Sequence, residues 1–464
     1  MNVHTLQRRY QSWYRTFPKY SKASLKLHRM KRLLELLGRP ERGMPTRIQI
    51  VGTNGKGSTT AFMESILSAA GYRVGVFSSP AFVTESEQIR LGTQFLEHEV
   101  FEEQLQLLKP YLDRVEAEFQ ERPTRFEVVN ALMLLLFREW KVDVALFEAG
   151  LGGAFDATSA HTAQIVALTN VSLDHTHVLG DTIHAIASDK SQAAREGTRV
   201  VTTTAVGEAR GILAERVRTL GLTLAEPRAA FSDSVSYEGT LAQISTPSKT
   251  YHDLELGLTG LHQVQNAALA LTTLEEAARL GSLSISEAAI REGCATVVHP
   301  GRFQVVTPEQ FAEPLPQPAH TVLDGAHNAE GMHVLLGTML ALHPAPPIAI
   351  FGTKNSSRDG FIELLKRSEH VYLPRIAFAP FFTHPERLKT FVPPIYKDRV
   401  TVTQTLQEAL FMASRHAEDE ARDLVITGSL YFLGVLFAAE PGLLPRSYRP
   451  ETLPTLSAAS LPSL

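Results

Sequence analysis

The feature that most limits the folds open to this chain is the run Arg47–Ser58, RIQIVGTNGKGS. An apolar strand runs directly into glycines set around one lysine. Phe62, Ile66 and Ala69 follow at helical spacing, Gly71 supplies a stop, and YRVGVF reads as another strand. Strand, glycine loop, helix, strand is the context in which N–H groups at a helix N-terminus hold a phosphate. Lys56 adds a mobile cation. The spacing departs from G-x-x-x-x-G-K-[ST], because Ile50 stands where the first glycine belongs; Gly52–Ser58 is a shorter variant. The competing reading is a plain turn, and the flanking pattern favours the cradle.

Strand-like runs recur between helical patterns at Ile48–Val51, Arg73–Phe77, Val142–Phe147, Ile165–Thr169 and Val200–Thr204. That alternation predicts a mostly parallel sheet with helices on both faces. The pattern pauses near His299-Pro300-Gly301. A second series follows at Thr321–Asp324, Pro347–Phe351, Val371–Leu373 and Leu424–Thr427. The expected fold class is therefore α/β in two domains, a P-loop ATPase-like parallel-sheet domain and a Rossmann-like domain. The expected boundaries are 1–298, including an N-terminal helical segment, and 299–440. Residues 441–464, rich in proline and serine, are expected to be a flexible tail.

The 464 residues suit two domains, and 44% hydrophobic content supplies cores and excludes global disorder. A net charge of −4 argues against a general nucleic-acid binder. The first forty residues are locally basic (Arg8, Arg9, Arg15, Lys19, Lys22, Lys26, Arg29, Lys31, Arg32), which suits a solvated helix face better than an RNA-binding arm. One cysteine, Cys294, excludes an internal disulfide framework and suits a reducing compartment. No signal peptide is visible, and the uncharged run Leu424–Ala439 is short for a membrane span and broken by Gly428-Ser429. These features predict a soluble cytoplasmic protein.

Acidic and histidine side chains gather where strands end. Glu148 closes an apolar strand, with Asp156 beyond a glycine turn; Asp174 and His175 follow the next strand. Carboxyl ends of strands face the crevice where open α/β sheets bind ligands, and such groups beside a phosphate loop suit a hard cation. His175-x-His177 invites a zinc reading, which the lack of a nearby cysteine disfavours. In DTIHAIASDKSQAAREG, helical spacing puts Ile183, Ala187, Lys190 and Ala194 on one face. Lys190 is then either a snorkelling lysine at the core edge or an inward amine whose pKa burial lowers; spacing alone leaves both open. TVLDGAHNAEG brings Asp324, His327 and Asn328 to another strand end, as a site or as a turn capped by Asp324. Arg302, on the linker, either reaches a phosphate when the domains close or makes an interdomain ion pair.

With these motifs in order, from about Ile48 to Leu433, the chain resembles the folylpolyglutamate synthase/dihydrofolate synthase family of the Mur-type ligases. The resemblance rests on VGTNGKGS, SSP, RFEVVNALMLLLF, FEAGLGGAFDATS, SLDHTHVLG, GLHQVQNAALAL, HPGRF, LDGAHNAEG and ITGSLYFLG. It implies an ATP-dependent ligase of folate biosynthesis and one-carbon metabolism, which joins dihydropteroate or a folate to L-glutamate through an acyl phosphate. It further implies that Asn54, Gly55, Lys56, Gly57 and Ser58 hold ATP phosphates, with Asn266, Arg302 and Asp324 completing that site. Ser79, Glu148 and His175 become magnesium ligands, and Lys190 a carboxylated lysine holding a second Mg2+. His327 falls where glutamate binds. Thr124, Phe126, Glu127, Phe155, Asp156 and Ala157 fall where the pterin side is held. A monomer with small-molecule substrates, and neither nucleic-acid nor membrane partners, is implied.

The chain departs from the family pattern at three places. Ala154-Phe155-Asp156 replaces Arg-Leu-Asp after GLGG, Ala81 replaces a histidine after SSP, and Asp189 replaces a glutamate before Lys190. The expectation is that Ala154 and Ala81 relax the acid pocket and that Ala154→Arg tightens it. Two alternatives stand beside the leading one: a Mur-type ligase for a different acid, and a silent nucleotide-binding module. Retention of Lys56, Glu148, His175, Lys190 and His327 argues against the second.

Overall fold

The computed structural model describes residues 12–19, 24–204, 207–281, 283–354, 358–376 and 382–463. Arg8, Arg9 and Lys22 of the basic stretch lie outside them.

The first large sheet is built from β1 (Thr46–Val51), β2 (Val74–Phe77), β3 (Ile89–Leu91), β4 (Gln94–Phe95), β5 (Val144–Glu148), β6 (Ile165–Leu168), β7 (Arg199–Thr202) and β8 (Thr223–Ala225). Its central order is β2-β5-β1-β6-β7-β8, all parallel. β1 is central and buried on both faces, hence its apolar run. Helix Lys56–Ala69 packs one face with helices Leu261–Arg279 and Glu287–Thr296, around Phe62, Ile66 and Leu269. Helix Arg125–Glu139 covers the other with Phe137 and Trp140.

A small antiparallel sheet follows, of β9 (Ala229–Val235), β10 (Thr240–Ser245) and β11 (Thr250–Leu256). The sequence reading did not anticipate it: only β10 alternates regularly, between buried and half-buried residues, and β9 has no buried residue. The second large sheet starts with β12 (Gln304–Val306) and contains β13 (Thr321–Leu323), β14 (Ile348–Phe351), β15 (His370–Pro374), β16 (Val400–Thr403) and β17 (Leu424–Thr427) in the order β12-β13-β17-β14-β15-β16. Only the β12–β13 pair is antiparallel. Two α/β bodies with parallel sheets are thus present, as the fold class requires.

The last segment differs from the expected flexible tail. Leu443 is fully buried against the second body, and β18 (Arg449–Pro450) pairs with β4 of the first sheet. Trp140 Nε1 then donates to Pro454 O at 2.7 Å, Leu456 N donates to Gln104 Oε1 at 2.6 Å, and Leu453 and Leu456 enter the first core. Proline and serine removed the helical and strand periodicities that signal packing, but the segment's leucines and backbone groups still find partners. In the basic stretch Lys26 and Lys31 are exposed, as a solvated face requires, and Arg29 is the exception. Arg29 is 2% exposed, and Arg29, Lys26 and Arg32 pair with Glu127, Glu121 and Glu118 respectively. No described helix is long and apolar enough to cross a membrane.

Candidate functional site

The Gly52–Ser58 loop joins β1 to its helix and is fastened from β6. Asn54 N donates to Asn170 Oδ1 at 2.8 Å, and Thr169 Oγ1 donates to Asn54 O at 2.6 Å. Gly55 sits at φ +85°, and a Cβ there would collide with Asn266 Oδ1, so this turn needs glycine. Asn266 is itself held by Gln263 at 2.9 Å. Gly57 and Ser58 open the helix, and their N–H groups belong to its first turn. Lys56 Nζ folds back on the carbonyls of Gly52 and Thr53, both at 3.1 Å. Its pKa is lowered by burial, against the pull of Glu148 and Asp174.

Lys190 is 5% exposed, and its Nζ donates to Gly52 O at 2.7 Å. The inward reading of Lys190 therefore holds. Burial, reinforced by Lys56, brings its pKa down to about 7. The helix ends at Ser191, so Ala194 lies beyond the face the spacing assigned it to. Asp189 Oδ1 accepts from Gly153 N at 2.7 Å and so fastens the glycine turn after β5.

Glu148 ends β5 and is 3% exposed; its Oε1 is buried with no hydrogen-bond partner among the described residues, and burial raises its pKa. Ser79, Glu148, Gly57, His299 and Arg302 line one cleft. His175 is not in that lining. It sits at φ +49° beside Asp174, on the Lys56–Lys190 side, with its pKa lowered chiefly by burial. No group of three His, Cys, Asp or Glu side chains converges to hold a metal among the described residues. A hard ion that keeps waters and binds phosphate oxygens needs only one or two carboxylates, and the orphaned Glu148 Oε1 beside the phosphate loop fits it.

Asp324 engages both oxygens on backbone amides, Phe303 N and Ala326 N, each at 2.8 Å. It ties the Arg302 linker to the Gly325–Asn328 turn, and burial raises its pKa. His327 Nδ1 lies 3.2 Å from Gly325 O, and its side chain is exposed. The two bodies meet at the loop: Asn54 Nδ2 donates to Glu330 Oε2 at 2.6 Å, and Asn328 Nδ2 to Asn54 Oδ1 at 3.2 Å.

A second cavity is lined by Thr124, Phe126, Glu127, Phe155, Asp156 and Ala157, with Lys26 on its wall. All six residues expected on the pterin side thus meet. Thr124 and Glu127 also form the capping box of helix Arg125–Glu139, Glu127 Oε2 accepting from Thr124 N at 2.7 Å. That leaves the buried Glu127 Oε1 without a partner among the described residues. Asp156 accepts from Leu151 N at 2.9 Å and Thr158 N at 3.0 Å. Phe155 is half exposed at the rim. Ala154 and Ala81 line neither cavity and are 5% and 3% exposed. An arginine at 154 would have to leave a packed position before reaching an acid, so the expected gain from Ala154→Arg is withdrawn.

Sequence reasoning gave no role to Arg90, Tyr448 or His299. Arg90 donates to Ser78 Oγ at 2.7 Å and pairs with Glu64 at 2.9 Å, under the Tyr448 ring. Tyr448 arrives from the C-terminal segment, which no local pattern linked to the site. His299 lay inside a quoted motif, but its neighbours come from β5 and the phosphate loop.

Residues 50–274 match the family model for the Mur ligase middle domain. The Bacillus subtilis dihydrofolate synthase/folylpolyglutamate synthase is 32% identical over 88% of this chain and 93% of its own. Among solved structures, Mycobacterium tuberculosis folylpolyglutamate synthase complexed with ADP and AMPPCP superposes with a TM-score of 0.81 at 25% identity, covering 94% of this chain and 98% of that one. Escherichia coli FolC in complex with DHPP and ADP gives 0.77 at 25% identity, covering 94% and 97%.

Proposed function

The chain belongs to the dihydrofolate synthase/folylpolyglutamate synthase family, and on that premise we propose that it joins L-glutamate to the carboxylate of dihydropteroate, of a folate, or of both, using ATP. The observation that carries this reading is the meeting of the phosphate loop with the second body through Asn54, Asn328 and Glu330. A phosphoryl donor held by the loop and an amine held near His327 then share one junction between the two bodies.

A carboxylate is a poor acyl donor. Its oxygen attacks the γ-phosphorus, ADP leaves, and an acyl phosphate forms while Lys56 offsets the charge. The glutamate α-amine loses its proton and attacks the acyl carbon. The tetrahedral intermediate expels phosphate and leaves an amide. Acyl phosphates hydrolyse, so closure of the two bodies protects the intermediate. Gly55, Gly57 and Ser58 orient the phosphates, with Asn266 bracing the loop and Arg302 reaching from the linker. Glu148 and Ser79, with His175 from outside their cleft, are assigned to Mg2+, which when bound would supply charge neutralisation and orientation at the transferred phosphoryl group.

Lys190 is assigned a second metal-binding role as a carbamate. A buried amine with a pKa of about 7 is largely neutral above that pH, the form that reacts with carbon dioxide. The cavity lined by Phe126, Glu127 and Phe155 is assigned to the pterin. A lone buried cysteine suits the cytoplasm.

The testing experiment is ADP release with dihydropteroate and tetrahydrofolate in parallel, each with and without glutamate. Release that requires both an acid and glutamate is the expected result. Release with neither acid sinks the substrate assignment and leaves a ligase for a different acid. Lys190→Ala is expected to be nearly inactive and to regain activity with added short carboxylates.

A further inference from the structure

The Mg2+ assignment above rests on Glu148, Ser79 and His175, yet the cleft holds a further group that it leaves unused. His299 closes helix-to-linker segment 297–299 just before Pro300, a position that proline confines to an extended backbone. Its ring turns under the phosphate loop. Its Nε2 is buried and has no hydrogen-bond partner among the described residues. Glu148 Oε1 is in the same condition. Both atoms point at one place: a Cβ built on Gly57 would lie 2.5 Å from His299 Nε2 and 3.6 Å from Glu148 Oε1. Glycine at 57 keeps that space open. Ser79 and Arg302 line the same cleft.

Two buried polar atoms without partners, one a carboxylate oxygen and one an imidazole nitrogen, are costly to leave facing each other's surroundings empty. A single cation between them satisfies both. We propose that His299 Nε2 is a further protein donor to the divalent cation that accompanies the nucleotide, acting with Glu148 and Ser79. This rests on the ATP-site reading above. With His175 already assigned to the metal, it adds a second nitrogen donor to the site. Imidazole suits Mn2+ and later first-row ions, whereas Mg2+ takes oxygen donors. The protein should therefore bind Mn2+ with more advantage over Mg2+ than an all-oxygen site does, and that advantage should depend on residue 299.

The test uses the full chain with Mn2+ and a non-hydrolysable ATP analogue. Pulsed electron paramagnetic resonance reads imidazole nitrogen at the metal. Because His175 is also assigned to the metal, the comparison is made in its absence. The expected result is nitrogen modulation that persists in His175→Gln and disappears in His175→Gln/His299→Gln. In parallel, His299→Gln alone should raise the half-saturating Mn2+ concentration by about tenfold and that for Mg2+ by less. Far-ultraviolet circular dichroism confirms that the variants fold. If His299→Gln does not fold, His175→Gln still decides: absence of any nitrogen modulation in it overturns the assignment. Unchanged modulation on adding His299→Gln also overturns it. So does a loss of analogue affinity in His299→Gln that is equal with and without metal, which would put the ring on a phosphate. No analogue-dependent Mn2+ binding by the unsubstituted protein would overturn the ATP-site reading itself, and this assignment with it.

Discussion

Lys56 and Lys190 donate to one and the same acceptor, the carbonyl oxygen of Gly52, at 3.1 and 2.7 Å. Two ammonium groups on one oxygen repel each other, and both are taken out of water. The nucleotide loop and the helix Ile183–Ser191 are thereby coupled before any anion arrives. A bound phosphate would draw Lys56 away and relieve the crowding.

Burial of Lys190, with Lys56 beside it, predicts a pH-dependent stability. Below pH 7, Lys190 is protonated in the folded and unfolded chains alike, and its burial cost is fully present. Between pH 7 and about 10.4 the folded amine is neutral while the unfolded one stays protonated, so stability rises with pH. Lys190→Met should be more stable than the unsubstituted protein at pH 6, with the gap narrowing as pH rises from 7 to 10. Urea midpoints across that range measure it. A gap that is constant with pH would contradict a buried, titrating Lys190.

Lys56→Ala should fold normally and lose ligation by at least about a hundredfold in kcat/KM, the scale of removing one charge-stabilising donor. Steady-state ADP release, with a thermal melt as control, measures this. A folded variant that keeps most of its activity would remove the phosphate-loop reading.

Much of this arrangement was legible in the sequence because it is local. The Gly52–Ser58 loop follows its strand and opens its helix within a dozen residues, and Glu148 and Asp324 each lie at or just past a strand's end, where periodicity stops. The inward turn of Lys190 needed the structure to separate it from a snorkelling lysine. What was not legible depends on distant partners. His299 meets Glu148 only through the folded linker, and Tyr448 meets Arg90 only because the last segment crosses back to the first sheet. Ala154 shows the opposite error: it adjoins Phe155 in sequence, yet it is packed and does not line the cavity that Phe155 lines.

The C-terminal segment should contribute measurably to stability. Leu456 is 5% exposed in the first core, and Leu456→Ala should cost about 2–4 kcal/mol in chemical unfolding. Trp140→Phe, which removes the donor to Pro454 O, should cost about 1 kcal/mol. Losses below about 0.5 kcal/mol for both would mean that the segment is not packed as described.

Glu330→Ala breaks the contact between the second body and Asn54. Glu330 is exposed, so little stability should be lost. Poorer closure should instead lower kcat/KM for glutamate by about threefold to tenfold, within the range for an ordinary exposed hydrogen bond, while the KM for ATP stays near its original value. Equal losses for both substrates would place the contact in nucleotide binding.

The central claim is ligation through an acyl phosphate, and isotope transfer tests it most directly. Dihydropteroate or tetrahydrofolate, whichever supports ADP release, is labelled with oxygen-18 in its reacting carboxylate and turned over with ATP and glutamate. The carboxylate oxygen that attacks phosphorus leaves with it when the amine displaces phosphate. Mass spectrometry should therefore find one oxygen-18 atom in each phosphate released during amide formation from fully labelled acid. Amide formation with unlabelled phosphate would contradict the account.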